Sequence, residues 1–168
     1  MSRESLIDVV LSSPEGLRQL VAALKAEDDA KVLRRDLARG ARNALKPAAV
    51  EAKSSIRAMS SVSRHSGASL RTAIARRISP QIRMGARVTG ASVRARRIQL
   101  RDFENAPKWT NRKKWRRMVF GDPDVWVDQV GKPNWFDDAM KGREAEAREE
   151  LFKAMERMAR RIALRSRG

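Results

Sequence analysis

The sequence predicts an α+β fold in a single domain spanning residues 1–168, with the sheet antiparallel. Three observations point to it. Apolar residues recur every three or four positions near both ends of the chain, the period of a helix buried along one side. In the middle they alternate every second position, the period of a strand. Glycine, proline and aspartate cluster between β-prone runs, where a chain can fold back on itself. The expected parts are a long N-terminal α-helical arm over 13–61, straight or kinked, two β-hairpins within 78–130, and a C-terminal α-helix over 134–165.

Ser12-Ser13-Pro14-Glu15 starts the first helix. A serine caps free amides, proline fits the first turn, and glutamate suits the positive helix end. Leu17, Leu20, Val21 and Leu24 form its buried face, and Glu27-Asp28-Asp29 marks a restart. From Val32 the stripe continues through Leu33, Leu37, Ala41, Ala44, Leu45, Ala48, Ala52, Ile56 and Met59. Unbroken, residues 13–61 would span about 70 Å at the usual rise per residue. Pro47 removes a backbone donor and crowds the preceding turn, which predicts a kink or break near residues 43–46.

The small, polar run from Ser60 to Ser69 reads as a loop, and residues 70–78 as a short helix or strand. Ile82, Met84, Ala86 and Val88 then alternate with Gln81, Arg83, Gly85 and Arg87, a strand with one basic face. Thr89-Gly90-Ala91-Ser92 is expected to turn it. Val93, Ala95, Ile98 and Leu100 return, with a slip at Arg96-Arg97 that a bulge would supply. Residues 102–114 show no period and read as an irregular loop. A second hairpin pairs Met118-Val119-Phe120 with Val125-Trp126-Val127 around Gly121-Asp122-Pro123-Asp124. The last helix carries acids early and arginines late, matching the helix dipole, with Leu151, Met155, Met158 and Ile162 as its stripe and Phe152 and Ala159 beside it.

Composition narrows the function. The formal charge is +17, and twenty-four of the apolar residues are alanines, so the core is expected to be thin and to be completed by other copies or partners. The charge is concentrated: residues 52–101 hold twelve Lys and Arg and no Asp or Glu. The candidate partner- or DNA-facing basic surface is Arg83, Arg87, Arg94, Arg96, Arg97 and Arg101, whose guanidinium forks suit phosphates and carboxylates alike. No aromatic residue falls in that segment, which argues against base stacking. With zero Cys and one His, thiol catalysis and thiolate or multi-His metal sites are excluded. No apolar run is long enough for a membrane helix, and a soluble intracellular product is expected.

The catalytic inventory is poor. His65 lies among Ser63 and Ser66, but adjacency in sequence is not triad geometry. Asp122, Asp124 and Asp128 offer oxygen ligands for a hard cation, yet Asp beside Pro in a hairpin has a conformational reason to be there. No Gly-rich phosphate loop occurs. The expectation is no enzyme, no metal and no cofactor. Of the four tryptophans, Trp126 and Trp135 are expected in the core; Trp109, Trp115 and Phe120 are candidates for an interface.

Three motifs then matter for their order: Ser66-Gly67-Ala68-Ser69-Leu70, Val119-Phe120-Gly121-Asp122, and Pro133-Asn134-Trp135-Phe136. Following an alanine-rich helix and preceding a C-terminal one, they resemble the tail-component or neck proteins of lambda-like, long-tailed bacteriophages. The run from Trp115 to Phe136 looks like versions from phages of actinobacteria. Val119 and Asp122 stand where the common pattern has glutamate and threonine. The resemblance implies a virion structural protein, assembled in the host cytoplasm, that forms or joins a ring, typically sixfold, at the head–tail junction. The implied partners are further copies, connector or stopper proteins, tail-terminator or tail-tube proteins, and the genome DNA passing through the channel; no membrane is implied. Most of the arginines are then expected to meet acidic protein surfaces, because a lumen that gripped phosphates would slow DNA exit. The alternative is a basic nucleic-acid-binding protein that contacts the phosphate backbone without sequence specificity.

Overall fold

The computed structural model describes residues 7–10, 14–25, 27, 29–59, 69–85, 89–100, 103–119 and 122–165. The fold is α+β, as the periodicities predict. In chain order the elements are β1 (Ile7–Val10), α1 (Pro14–Lys25), α2 (Ala30–Ala58), α3 (Ser69–Arg76), β2 (Ile78–Met84), β3 (Thr89–Ala95), α4 (Ala106–Thr110), β4 (Lys114–Val119), β5 (Asp122–Val130), α5 (Trp135–Lys141) and α6 (Glu144–Arg165). The strands make two antiparallel sheets: a three-stranded one in the order β1-β3-β2, and the isolated ribbon β4-β5.

The helix α2 is the centre of the body. The expected stripe from Leu33 to Ile56 is buried, with Ala49 added to it, while Val32 faces solvent. Pro47 does not break the helix, which continues through it to Ala58. The restart expected at the acidic run occurs, with Asp29 at the N-cap position. One face of α2 packs on the first sheet, where Ile78, Ala91, Val93 and Ala95 join the core. Period-two burial follows: Ile82 lies against that core and Arg83 faces out.

Another face of α2 meets α6, and the two helices run antiparallel. Arg161 Nη1 donates to Asp36 Oδ2 at 3.0 Å near one end, and Arg143 lies 3.7 Å from Glu51 near the other. Between them the backbones come close. A β-carbon built on Gly40 would sit 3.1 Å from Ala154 Cβ, so small side chains set this approach. Beyond Gly40 a second cluster forms from Leu17, Val21, Leu24, Leu33, Leu37 and Met158, which seats α1 on the end of the α2–α6 pair.

Several expectations are corrected. Thr89-Gly90-Ala91-Ser92 is not a turn: it opens β3, with Met84 paired to Thr89. The strand ends at Ala95 instead of continuing through a bulge to Leu100; Ile98 is buried but outside the ladder. Residues 102–114 are not wholly irregular, because Pro107 sits in the first turn of α4. Asp122 to Asp124 belong to β5, and the register shifts between Met118 and Val119. The C-terminal helix is present as α6, with α5 set apart from it at Gly142, the weakest helix former on that stretch. The strand β1 has no counterpart in the sequence reading. The loop run from Ser60 to Ala68 lies outside the described residues.

Candidate functional site

Among the described residues, the expected basic surface divides between two ends of the first sheet. Arg83 pairs with Gly90 near the reversal of the first hairpin, whereas Arg94 lies opposite Ser79 toward the other end. Four residues of strand, at the usual rise, put those positions roughly 13 Å apart. Arg96 and Arg97 are exposed just beyond β3, at the same end as Arg94. There they are joined by residues the sequence reading noted only as part of the basic stretch: the Arg96 amide donates to the Arg77 carbonyl at 3.2 Å, and Arg76 precedes it. Among the described residues, Arg76, Arg77, Arg96 and Arg97 form no ion pair. Arg87 and Arg101 lie outside the described residues.

The aromatic candidates divide as well. Trp109 on α4 stacks on Trp115 of β4, with centroids 5.2 Å apart, and Phe103 meets Trp115 edge-on at 6.3 Å. This cluster roots the second hairpin in the body, and Trp115 is buried by it. The backbone reinforces the root: the Gly131 amide donates to the Lys113 carbonyl at 3.1 Å and the Lys132 amide to the Thr110 carbonyl at 3.0 Å. Phe120 lies outside the described residues.

Trp135 and Trp126, expected alike in the core, differ. Trp135 is fully buried against α2, edge-on to Phe136. Its helix is entered through Asn134, whose φ of 56° is a left-handed geometry asparagine tolerates. Trp126 is not in the core; it is 46% exposed. The ladder explains this. Directly paired residues share a face, so Lys114 with Val130, Arg116 with Asp128, and Met118 with Trp126 line one side of the ribbon, and all six are exposed. On that face Arg116 lies 5.7 Å over the Trp126 ring and 3.6 Å from Asp128. The opposite face holds buried Trp115 and half-buried Val127 and Gln129.

The aspartates have local roles. Asp122 Oδ1 accepts the Asp124 amide at 2.9 Å, and Asp128 pairs with Arg116. Among the described residues no group of three or more His, Cys, Asp or Glu is arranged to hold a metal, and no helix is long and apolar enough to cross a membrane. His65, Ser63 and Ser66 lie outside the described residues.

One concavity was not read from the sequence. A shallow, open depression lies along one face of α6 beside the end of α5, lined by Lys141, Glu144, Ala145, Arg148, Glu149 and Phe152. Phe152, expected beside the buried stripe, is 45% exposed there. The acids of the depression are tied along the helix: Arg148 donates to Glu144 at 3.0 Å, and Lys153 lies 2.8 Å from Glu149. Those contacts hold the Glu149 carboxyl below its ordinary value, chiefly through the hydrogen bond from Lys153. No family model matches the chain, and no curated protein or solved structure matches it either.

Proposed function

We propose that this chain is a structural subunit of a bacteriophage virion, one that forms or joins a ring at the head–tail junction and performs no catalysis. The observation that carries the reading is the second hairpin. It is a two-stranded ribbon outside the main sheet, rooted at α4, with Met118, Trp126 and Val130 exposed on one face. An isolated ribbon of this kind is marginal in water, so a partner that covers it gives it a reason to exist. The motif order from Ser66-Gly67 through Phe120-Gly121 to Pro133-Asn134-Trp135-Phe136 supports the same reading. The partners are then copies of the chain in a sixfold ring, together with connector, stopper, terminator or tube proteins, inside the virion.

Light scattering of the purified chain across a concentration series, alone and with purified connector and tail components, tests the reading. Assembly into a closed oligomer, or stable binding to one of those components, is expected. A monomer that binds none of them overturns it.

A second reading has its own support. Arg76, Arg77, Arg96 and Arg97 gather at one end of the first sheet without ion pairs among the described residues, a surface suited to the phosphate backbone of nucleic acid. A steep salt dependence of duplex binding, shallower by about one contact's worth for each arginine changed to alanine, would favour that reading.

A further inference from the structure

We infer that the solvent-facing stripe of α2 is a docking surface for duplex nucleic acid, held through the phosphate backbone and blind to base sequence. The stripe is Lys31, Arg35, Arg39, Arg42, Lys46, Lys53 and Arg57, at steps of four, four, three, four, seven and four residues. At about 3.6 residues per turn those steps keep all of them within an arc of about 80°, and at about 1.5 Å per residue they run for about 39 Å. All are exposed except Lys53, which is half-buried. The inference does not rest on the ring reading, and it uses none of the arginines at the end of the first sheet.

The stripe lacks counter-charges of its own. The carboxylates of α2 are Asp36 and Glu51, and both lie outside that arc, at the α6 seam where Arg161 and Arg143 meet them. Asp36 also lies 3.9 Å from Arg39; the other cations of the stripe make no ion pair and no side-chain hydrogen bond among the described residues. The exposed side of α6 shows how a solvated face is usually written: Arg148, Lys153 and Arg160 each pair with a glutamate three or four residues away. On α2 those spacings are filled by cation after cation, and like charges so placed repel. An anion that covers the line relieves the repulsion.

Chemistry selects the anion. A helix that lies on a membrane buries its apolar face below the headgroups. The apolar face of α2 is already packed on the first sheet and α6, and of its large apolar residues only Val32 and Val50 are exposed. A protein interface is anchored by aromatic side chains and is poor in lysine at its centre. The stripe has no aromatic residue, and Lys31, Lys46 and Lys53 belong to it. Single strands are held by stacking bases on aromatic rings, which are absent here too. A duplex backbone asks for none of these. It offers one negative charge per about 1.7 Å of axis, and a stripe of about 39 Å matches roughly one helical turn of it.

The test uses the full chain and a fluorescent duplex of mixed sequence, about three helical turns long, with binding followed by anisotropy across a salt series. The stripe variant combines Arg35→Gln, Arg42→Gln and Lys46→Gln, since glutamine keeps helix propensity while removing charge. A control variant with Arg148→Gln, Arg157→Gln and Arg160→Gln loses the same charge from the exposed side of α6. Circular dichroism establishes that both fold; if the triple stripe variant does not, Arg42→Gln alone carries the test with a third of the effect. The log–log salt slope of the wild type is expected to fall in magnitude by about three in the stripe variant, one for each lost phosphate contact, and by less than about one in the control. Acetylation with and without duplex gives an independent readout: Lys31 and Lys46 should become protected while exposed Lys141 and Lys153 react as before. Absent binding at low salt, or equal slope losses in the two variants, overturns the inference. A loss confined to Arg76→Gln, Arg77→Gln, Arg96→Gln and Arg97→Gln together returns the contact to the end of the first sheet and overturns it as well. So does stripe-dependent binding to phosphatidylserine vesicles or to an acidic polypeptide without binding to duplex. Sedimentation of the same proteins without DNA reports assembly separately, so the failure of the ring reading and the failure of this one are told apart.

Discussion

In the body, α2 buries nine side chains between the first sheet and α6, five of them alanines. In the β4–β5 ribbon, the six side chains of three alternate cross-strand pairs on one face are all exposed. Trp135 and Trp126, nine residues apart, mark the difference: one is closed off from water, the other is nearly half open to it. Alanine does not make the core inadequate, because small side chains let α2, α6 and the sheet approach closely enough to exclude water among themselves. The second hairpin exposes Met118, Val125, Trp126 and Val130, and α6 exposes Phe152. The body closes its core with its own side chains, whereas the ribbon leaves one face open to solvent.

The most direct way to break this contrast is to truncate the two tryptophans in turn. Trp135→Ala should lose about 3–5 kcal/mol, the usual cost of emptying a large aromatic site in a packed core. Trp135→Phe should lose less, since the buried indole N–H has no acceptor among the described residues and its removal costs no hydrogen bond. Trp126→Ala should cost about 1 kcal/mol or less, the scale of an exposed cross-strand pair and cation–π contact. Urea unfolding followed by circular dichroism gives all three. Equal losses at the two tryptophans would mean the ribbon is part of the cooperative core after all.

A smaller effect is expected where the ribbon is tied down. At Gly131 a β-carbon would overlap the Arg112 carbonyl and lie 2.6 Å from the Thr110 carbonyl. Both are backbone, so neither can swing aside. Gly131→Ala should destabilise by about 1–3 kcal/mol, in the range of other overpacked sites. Amide hydrogen exchange should show the loss concentrated in β4, β5 and α4, with α2 and α6 protected as before.

The body was far more legible in the sequence than the ribbon's surface. A helix stripe is a local signal, and Leu33, Leu37, Ala41, Leu45, Ala48, Ala52 and Ile56 declare one buried side without knowledge of what covers it. The strand β1 is four residues long, and its identity comes from pairing Ile7–Val10 with residues of β3 more than eighty positions away. Nothing within four residues could state that. Gly90 drew the turn into Thr89-Gly90-Ala91-Ser92, yet Ala91 and Val93 already had the period of a buried strand. Trp126 was misplaced because its residue type was weighted over its register. It alternates with Asp128 and pairs across from a face holding Lys114 and Arg116, and charged neighbours on the same face put an aromatic at the surface. The depression on α6 was not legible at all, since the exposure of Phe152 depends on which elements happen to leave it uncovered.

The α2–α6 seam sharpens the contrast from the other side. Gly40→Ala puts a methyl 3.1 Å from Ala154 Cβ, tighter than most contacts, and Ala154 is fixed to a helix backbone. Alanine gains about 1 kcal/mol in helix propensity over glycine. The two effects should nearly cancel, leaving a change of under about 1 kcal/mol in urea unfolding. A clear gain in stability would show that the helices can part by a few tenths of an ångström and that close approach is not what limits the body.

The smallest expected effect lies in the depression on α6. The Lys153 ammonium holds Glu149 below its ordinary carboxylate value, first by hydrogen bond and then by charge, and Glu149 and Glu150 raise Lys153 in turn. A carboxylate depressed in the folded state adds stability above its unfolded value of about 4.3 and loses it as the pH falls below that. A raised lysine adds stability below about 10.4 and loses it as the pH rises above that. Both groups are fully exposed, so the gain is slight and salt should erase it, the screening length being about 3 Å at 1 M. Glu149→Gln should therefore lower the melting temperature marginally at neutral pH and low salt, with the difference gone well below pH 4 and in 1 M salt.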